Sequence, residues 1–589
     1  MRKLKIISLL CTLAMLVGCF AVFPAFAEET ERRWTWNDAG GVEGMTYLLD
    51  NGNFNMFWAQ AKGKNVKGNY KLTESIVINE GNAVDWVDAS KRPSGTDANS
   101  INKVWNSPIG GTGSFDGTFD GQGFTISGIC LVSAGSYHLA GLFGTVNGTV
   151  RNLRLINSYF ECTASATDVD PSGSIAAKLN GSVINCYSEA ILNNKNPGTS
   201  NMNGSPVGGI VGRATGESRI ENCVFAGQIL DSMGPTGGIF GSNSYNSCSV
   251  TVSNCLNLGS VHSTNSYAAP IVGRAYTYND VAGVVINNCM NLGTVMGAKQ
   301  NMDGEIVGVG AGCFTVTNYI LIKGFRIANV GLIGNSPATV ISSGVHEKSL
   351  ANLLNTETKV FADWDYKAGY IPNPTTFEID KLSLASFADK LNAEMLELKS
   401  EGEIHSVRIS ADNPGLRFET FVNADVIDAL KAAGATVTMK TIITSADFIG
   451  DADTATTTAT FTKAALEAKQ MPYLEMEAKE YLHSVAKGDD YTGFAGSVVN
   501  IKNLDMKYIA VGYITITFGD DSYDIYATWN ADEKTSVSEV ATKAADDYSA
   551  EKNEAKGHVN PIKLKGSSET VYSRYTQEQY DIIVKLCSL

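Results

Sequence analysis

Between Gly141 and Cys289 the apolar positions fall in short β-branched runs, each broken by Gly, Asn or Ser, and no long helical period crosses them. Two phrases recur about 33 residues apart. The first is a hydrophobic turn, Gly-x-x-Gly: Gly141-Leu-Phe-Gly144, Gly209-Ile-Val-Gly212, Gly238-Ile-Phe-Gly241, Pro270-Ile-Val-Gly273 and Glu305-Ile-Val-Gly308, with a degenerate copy at Ser174-Ile-Ala-Ala177. The second is aliphatic-x-Asn-Cys: Val183-Ile-Asn-Cys186, Ile220-Glu-Asn-Cys223, Val252-Ser-Asn-Cys255 and Ile286-Asn-Asn-Cys289, with weaker copies at Val150-Arg-Asn-Leu153 and Val316-Thr-Asn-Tyr319. The Asn positions 152, 185, 222, 254, 288 and 318 are separated by 33, 37, 32, 34 and 30 residues. A fixed period with loop-sized variation predicts a mainly β chain built on a right-handed parallel β-helix, a solenoid of about 33 residues per repeat.

The Asn-Cys pair predicts a bend. In a straight strand the aliphatic residue and the Asn share a face, so the next residue would point outward. A cysteine repeated this regularly belongs inside, so the chain must turn at the Asn, which tolerates left-handed φ, and the Asn amides then stack as a ladder. Cys186, Cys223, Cys255 and Cys289 become a buried column of thiols, with Cβ atoms slightly too far apart for a relaxed disulfide at the strand spacing of about 4.8 Å. Leu192, Ile229, Val261 and Val295, six positions beyond each Cys, complete three short strands per turn.

Five domains are expected. Residues 1–27 read as a signal peptide: Arg2, Lys3 and Lys5, an apolar stretch from Ile6 to Val17, and Ala25-Phe-Ala27 before Glu28. Cys19, in Leu16-Val-Gly-Cys19, is the alternative, a lipid-bearing residue. Residues 28–110 hold five of the seven tryptophans and an amphipathic stretch from Met45 to Gln60, and read as an N-terminal cap, which a solenoid needs to cover its apolar end. Residues 111–343 are the repeats. Residues 344–402 read as a C-terminal cap, closed by Trp364–Pro372, and a helical connector from Ser383 to Ser400. Residues 403–589 read as a separate α+β domain, with strands Tyr508–Phe518 and Ser522–Trp529 and helices Ala424–Ala433, Thr462–Lys469, Ser536–Tyr548 and Gln577–Leu586.

The formal charge of −15 becomes −18 once the leader's three basic residues are removed, which argues against nucleic acid as a partner. No stretch after the leader approaches the ~18 apolar residues of a membrane span.

Gly-Leu-Phe-Gly at 141–144, Phe119-Asp-Gly-Gln-Gly123, Trp105-Asn-Ser-Pro-Ile-Gly110 and the repeated Asn-Cys resemble the GLUG-repeat β-helix surface proteins of Gram-positive gut and oral bacteria, over residues 34–373. The resemblance implies a secreted or cell-surface β-helix and is poor in function. Members that cleave immunoglobulins carry a zinc His-Glu-x-x-His motif; here His346-Glu347 has no second His three residues on. The tail, through Val407–Phe418, Phe494–Ile501 and Tyr508–Tyr513, is similar to a domain of uncharacterised secreted Firmicutes proteins.

Three function classes follow. The first is a non-enzymatic, adhesin-like protein binding a glycan or other host or cell-wall polymer along the solenoid, with Tyr267, Tyr276 and Tyr278 in loops as contact candidates. The second is a polysaccharide lyase or glycoside hydrolase of β-helix type, which needs paired carboxylates or acidic calcium ligands. Asp116 and Asp120 are the tempting pair, yet Asp-Gly twice in nine residues is also turn chemistry. The third is a structural spacer. No catalytic residue, metal site or cofactor is assigned: the six histidines are scattered, and the repeats supply no convergent metal ligands.

Overall fold

The computed structural model describes residues 31–587 apart from 96–102, 134–138, 164–169, 196–204, 245–247, 277–282, 299–302, 312–313, 323–332, 336–339, 343, 358, 368, 388–395, 397, 401–405, 433, 449–460, 479–480, 483–490, 519–520, 528–533 and 547–555. The expected signal peptide lies outside the described residues. The chain is mainly β, a parallel solenoid followed by antiparallel sheets with helices.

One parallel ladder runs through the solenoid in unbroken register, Glu31, Thr46, Asn69, Thr118, Thr149, Ser182, Arg219, Thr251, Val285, Thr315 and Ile341, each paired with the next. The bend is where the Asn-Cys argument puts it. Asn152, Asn185, Asn222, Asn254 and Asn288 all have φ between 49° and 53°, and the following Cys186, Cys223, Cys255 and Cys289 are fully buried. Asn185 Nδ2 donates to Asn152 Oδ1 at 2.8 Å and Asn318 Nδ2 to Asn288 Oδ1 at 2.7 Å. Asn318, in the weaker last copy, keeps the amide bond without the left-handed φ.

After the bend the chain enters a six-stranded sheet: Cys130–Ser133, Tyr159–Cys162, Ile191–Asn194, Gln228–Ser232, Ser260–Ser263 and Thr294–Met296. Two-residue strands such as Val207–Gly208 and Thr236–Gly237 then lead to the Gly-x-x-Gly phrases, whose third residues Phe143, Ala176, Val211, Phe240, Val272 and Val307 pair in register. A turn therefore carries more than the three strands expected, because the bend splits one and a corner adds another. The phrase glycines serve close approach rather than positive φ: a Cβ on Gly209 would lie 2.0 Å from Gly238 O, and one on Gly238 2.3 Å from Pro270 O, so each rung leans on the next.

The N-terminal cap does not merely cover the end. It adds rungs Glu31–Arg33, Thr46–Leu49 and Asn69–Leu72 to the ladder, while the helix Phe54–Ala61 buries Phe54, Phe57 and Trp58, the last stacked on Trp105 at 4.5 Å.

Segment 344–402 departs from expectation. The helix Leu350–Leu354 follows the last rung, but the chain beyond it returns along the solenoid's flank. Thr376 gives its amide to Asn185 Oδ1 at 3.0 Å and takes Asn185 Nδ2 at 2.9 Å; Arg154 lies over the Phe377 ring; Lys381 Nζ reaches Ala226 O at 3.2 Å and Glu189 at 3.5 Å. Trp364–Pro372 therefore belongs to a strap rather than an end plug. Its cause is the residue after each Cys, and after Tyr319 in the last copy: Tyr187, Val224, Leu256, Met290 and Ile320 point away from the solenoid core and share one buried apolar cluster with Phe361, Trp364, Ile371 and Phe377. The expected helix from Ser383 to Ser400 is not found in the described part of that stretch, which holds a 3-10 turn at Leu384–Phe387 and the strand Lys399–Ser400, paired to Phe421 and Thr420.

Asn185→Ala is expected to lower stability by about 2 kcal/mol, combining the strain of Ala in the left-handed region with lost side-chain bonds. Asn185→Gly, which relieves the strain and loses only the bonds, should cost about half as much; urea unfolding of both variants measures the difference.

In the tail, Gly415–Asn423 pairs with Tyr491–Val499 along its whole length, and Thr436–Ser445 pairs with Tyr508–Phe518 and Leu474–Ala478. The helices form at Ala424–Ala432, Lys463–Ala468, Val537–Asp546 and Gln577–Cys587, matching the expected positions within a few residues. Val422, Ile442, Val511 and Ile514 of the tail join the same buried cluster as the strap, so the tail has its own sheets yet shares one core with the strap and the solenoid flank. Among the described residues no helix is long and apolar enough to cross a membrane.

Candidate functional site

In the six-stranded sheet, Leu131, Phe160, Leu192, Ile229, Val261 and Val295 form one paired row. The first five are buried in the solenoid core and Val295 packs partly buried against it. Their neighbours on either side alternate to the outer face, where two halves differ.

Over the first half, Ala83, Trp86, Arg92 and Val104 cover the sheet. Trp86 packs on Cys130, Tyr159 and Ile191, and Arg92 reaches the centre of a buried polar cluster. Glu161, 4% exposed at its side chain, takes Arg92 Nη2 at 2.8 Å, Lys195 Nζ at 3.1 Å and the Tyr159 hydroxyl. Asn193 Nδ2 donates to the Tyr159 oxygen at 3.1 Å, and Arg92 Nε to Trp86 O at 2.9 Å. Burial alone would raise the Glu161 carboxyl, but the bonds from Tyr159 and Lys195 and the Arg92 charge outweigh it and hold the group below the usual glutamate range. Burial pushes the neighbouring Cys130 thiol up to about 12. The cluster is a closed latch: its charges meet one another and hold the covering segment down.

Over the second half the outer face is open. A register shift between Ile229 and Ser232 turns Asp231 outward with φ 42°, and its carboxylate meets His262 Nδ1 at 3.1 Å. Gln228 and Thr294 are exposed, Ser260 lies between them in register, and Met296, beside His262 across the strand pair, is 56% exposed. Asp303 stands near this group. Its Oδ1 is buried without a hydrogen-bond partner, and burial raises its carboxyl. The result is a polar ledge with an apolar margin, crossing three strands about 4.8 Å apart.

The residues singled out from sequence lie elsewhere. Asp116 Oδ1 takes Ser114 Oγ at 2.6 Å and Asn147 Nδ2 at 2.7 Å. Asp120 is buried and takes Arg151 Nε at 2.8 Å, Asn152 Nδ2 at 3.0 Å and the Gln122 amide at 2.9 Å. Against the opposing effect of burial, those bonds hold Asp120 below the usual aspartate range. Each carboxylate is thus tied to the following rung through its own partners. Tyr267 is buried, Tyr276 ends the strand Val272–Tyr276, and Tyr278 lies outside the described residues. Arg213 and Arg274 flank Ser242 in register; Arg274 is buried and donates to Ser242 Oγ at 3.0 Å. Among the described residues no group of three or more His, Cys, Asp or Glu side chains is placed to hold a metal ion. Elsewhere, an open cleft of about 590 Å³ in the tail is lined by Asp505, Ser538, Glu539, Thr542, Lys543, Asp546 and Cys587.

No family model matches the chain, and no curated protein matches it. A solved structure that it resembles in part is a "putative immunoglobulin A1 protease" from Bacteroides ovatus, at 20% identity over 53% of this chain and 86% of that one, with a TM-score of 0.37.

Arg92, Tyr159, Glu161, Asn193, Lys195, Gln228, Asp231 and His262 were not foreseen as site residues. A signal was present: each aliphatic residue six positions beyond a Cys has neighbours that must alternate outward, and those neighbours include Asn193, Gln228 and His262.

Proposed function

We propose that this is an exported, secreted or surface-attached binding protein that holds an extended polymer, a glycan in the first instance, across the open half of the six-stranded sheet without cleaving it. The supporting observation is the ledge formed by exposed Gln228 and Thr294 and half-buried Ser260 and His262, with exposed Met296 beside it: hydrogen-bonding groups at rung spacing next to an apolar surface, the combination that takes a sugar's hydroxyls and its ring face. The other prominent carboxylates, Asp116, Asp120 and Glu161, are engaged by neighbouring side chains.

Retention of residues 28–589 on a panel of plant polysaccharides and mucin glycans, with mass spectrometry of anything released, tests the reading. Binding without products is expected. His262→Ala combined with Gln228→Ala should weaken retention about tenfold or more, while the melting temperature stays close to that of the parent. Equal retention by the variant would move the site off this face. A second reading, cleavage of the polymer, is favoured by the two carboxylates Asp231 and Asp303 near His262, and new reducing or unsaturated ends would establish it.

A further inference from the structure

The four repeat cysteines make a column with its own chemistry. Cys186, Cys223, Cys255 and Cys289 occupy one register position on four successive rungs, with Leu153 before them and Tyr319 after them. All four are free and fully buried. Each Sγ lies near the carbonyl oxygen two residues back, at 3.4 Å for Cys186, 3.2 Å for Cys223 and Cys255 and 3.3 Å for Cys289. The register stacks the four side chains one rung apart along the solenoid axis, on strands about 4.8 Å apart.

Two sulfurs on adjacent rungs are unsuited to a disulfide, which requires Cβ atoms near 3.8 Å, whereas in-register strands hold them at about 4.8 Å. That spacing suits a different bridge. A metal–sulfur bond of about 2.3 Å gives a linear sulfur–metal–sulfur span of about 4.6 Å. We propose that adjacent thiols of the column hold a soft monovalent ion of the copper(I) class in two-coordinate, linear geometry, with Cys186–Cys223 and Cys255–Cys289 as the two pairs. Such a site needs two ligands only, and soft sulfur selects soft ions over zinc, calcium or magnesium.

The apolar surroundings determine the charge state. Two thiolates around a monovalent ion would bury a net negative charge in a core lined by Val183, Ile220, Val252 and Ile286, at large cost. One thiolate and one neutral thiol leave the complex uncharged. Binding therefore follows M⁺ + 2 RSH → RS–M–S(H)R + H⁺, with one proton released per ion and no change of oxidation state. With the column closed at both ends, the ion enters as the rungs assemble.

Silver(I), a redox-inert ion of this class, is the probe. The chain from Glu28 is refolded from urea with increasing Ag⁺, washed with a weak thiol competitor, and examined by metal analysis, ultraviolet absorption of the metal–thiolate bond and melting temperature. The parent is expected to retain as many as two ions with a raised melting temperature, since a ligand of the folded state stabilises it. Cys223→Ala with Cys255→Ala leaves Cys186 and Cys289 three rungs apart and should lose both ions, while Cys186→Ala with Cys289→Ala should keep one. A melting temperature lowered or unchanged by silver in the parent would show binding to unfolded thiols or none, and overturns the proposal. So does a Cys223→Ala, Cys255→Ala variant that retains as much silver as the parent.

Discussion

Gly512→Val is expected to destabilise the tail by about 3 kcal/mol or more, and Gly496→Val to act similarly. On an open strand the change would be neutral or favourable, because valine has the higher strand preference, by up to about 1 kcal/mol. Here a Cβ on Gly512 would lie 2.0 Å from Thr420 Oγ1 and 2.6 Å from its Cβ and Cγ2. A Cβ on Gly496 would lie 2.6 Å from Thr441 Cβ. Thr420 and Thr441 are both buried and β-branched, so neither can turn aside cheaply. The two sheets of the tail meet through these two Gly–Thr contacts, and overpacking of this kind costs about 1–3 kcal/mol per added group even where the neighbours partly relax. Urea unfolding of Gly512→Val and of the same change with Thr420→Gly provides the test: the second substitution should restore part of the loss. Equal and additive losses would show that the sheets do not meet there.

Removing Glu161 is the second large effect. Glu161→Ala leaves the Arg92 guanidinium, 13% exposed, without its anion and strips the Tyr159 hydroxyl of its acceptor. Breaking a buried pair from one side costs about 3–5 kcal/mol, and the exposed Lys195 end of the cluster lowers the expectation to about 3 kcal/mol. Amide exchange in residues 83–95 should rise with it, because Arg92 holds that segment on the sheet. The pH dependence has a definite sign. Glu161 is held below its unfolded value, so its contribution is present above the ordinary glutamate pKa of about 4.3 and disappears as pH falls through the lower folded value. Glu161→Gln should therefore differ most from the parent near neutrality and least in strong acid. A gap that does not narrow on acidification would mean that the carboxylate charge contributes nothing to the latch.

The solenoid was legible because its evidence is periodic. The Asn-Cys phrase required a bend with left-handed φ, and five asparagines adopt it; the Gly-x-x-Gly phrases required close rung contact, and the carbonyl oxygens beside Gly209 and Gly238 leave no room for a Cβ. In the tail, long alternating runs and amphipathic segments located the strand Tyr508–Phe518 and four helices. The site was less legible. Asp116 and Asp120 looked like a pair because they are four residues apart, but each binds a residue about 31 positions later, one rung along the axis.

From local pattern alone follow the repeat, the corner at each Asn, the buried thiol column and the element types of the tail, since these depend on side-chain spacing within one rung or one element. What tertiary structure alone decided is which outer surface stays open. The strap residues Phe361, Trp364, Ile371 and Phe377 lie against Tyr187, Val224 and Leu256, Arg92 crosses some 70 residues to Glu161, and Asp231 meets His262 only because a register shift turns it outward. These contacts join residues whose sequence separation carries no periodic signal. They form because outward apolar side chains and buried charges must each find cover or a partner, and the partner is set by the rise and turn of the stacked rungs rather than by neighbours in the chain.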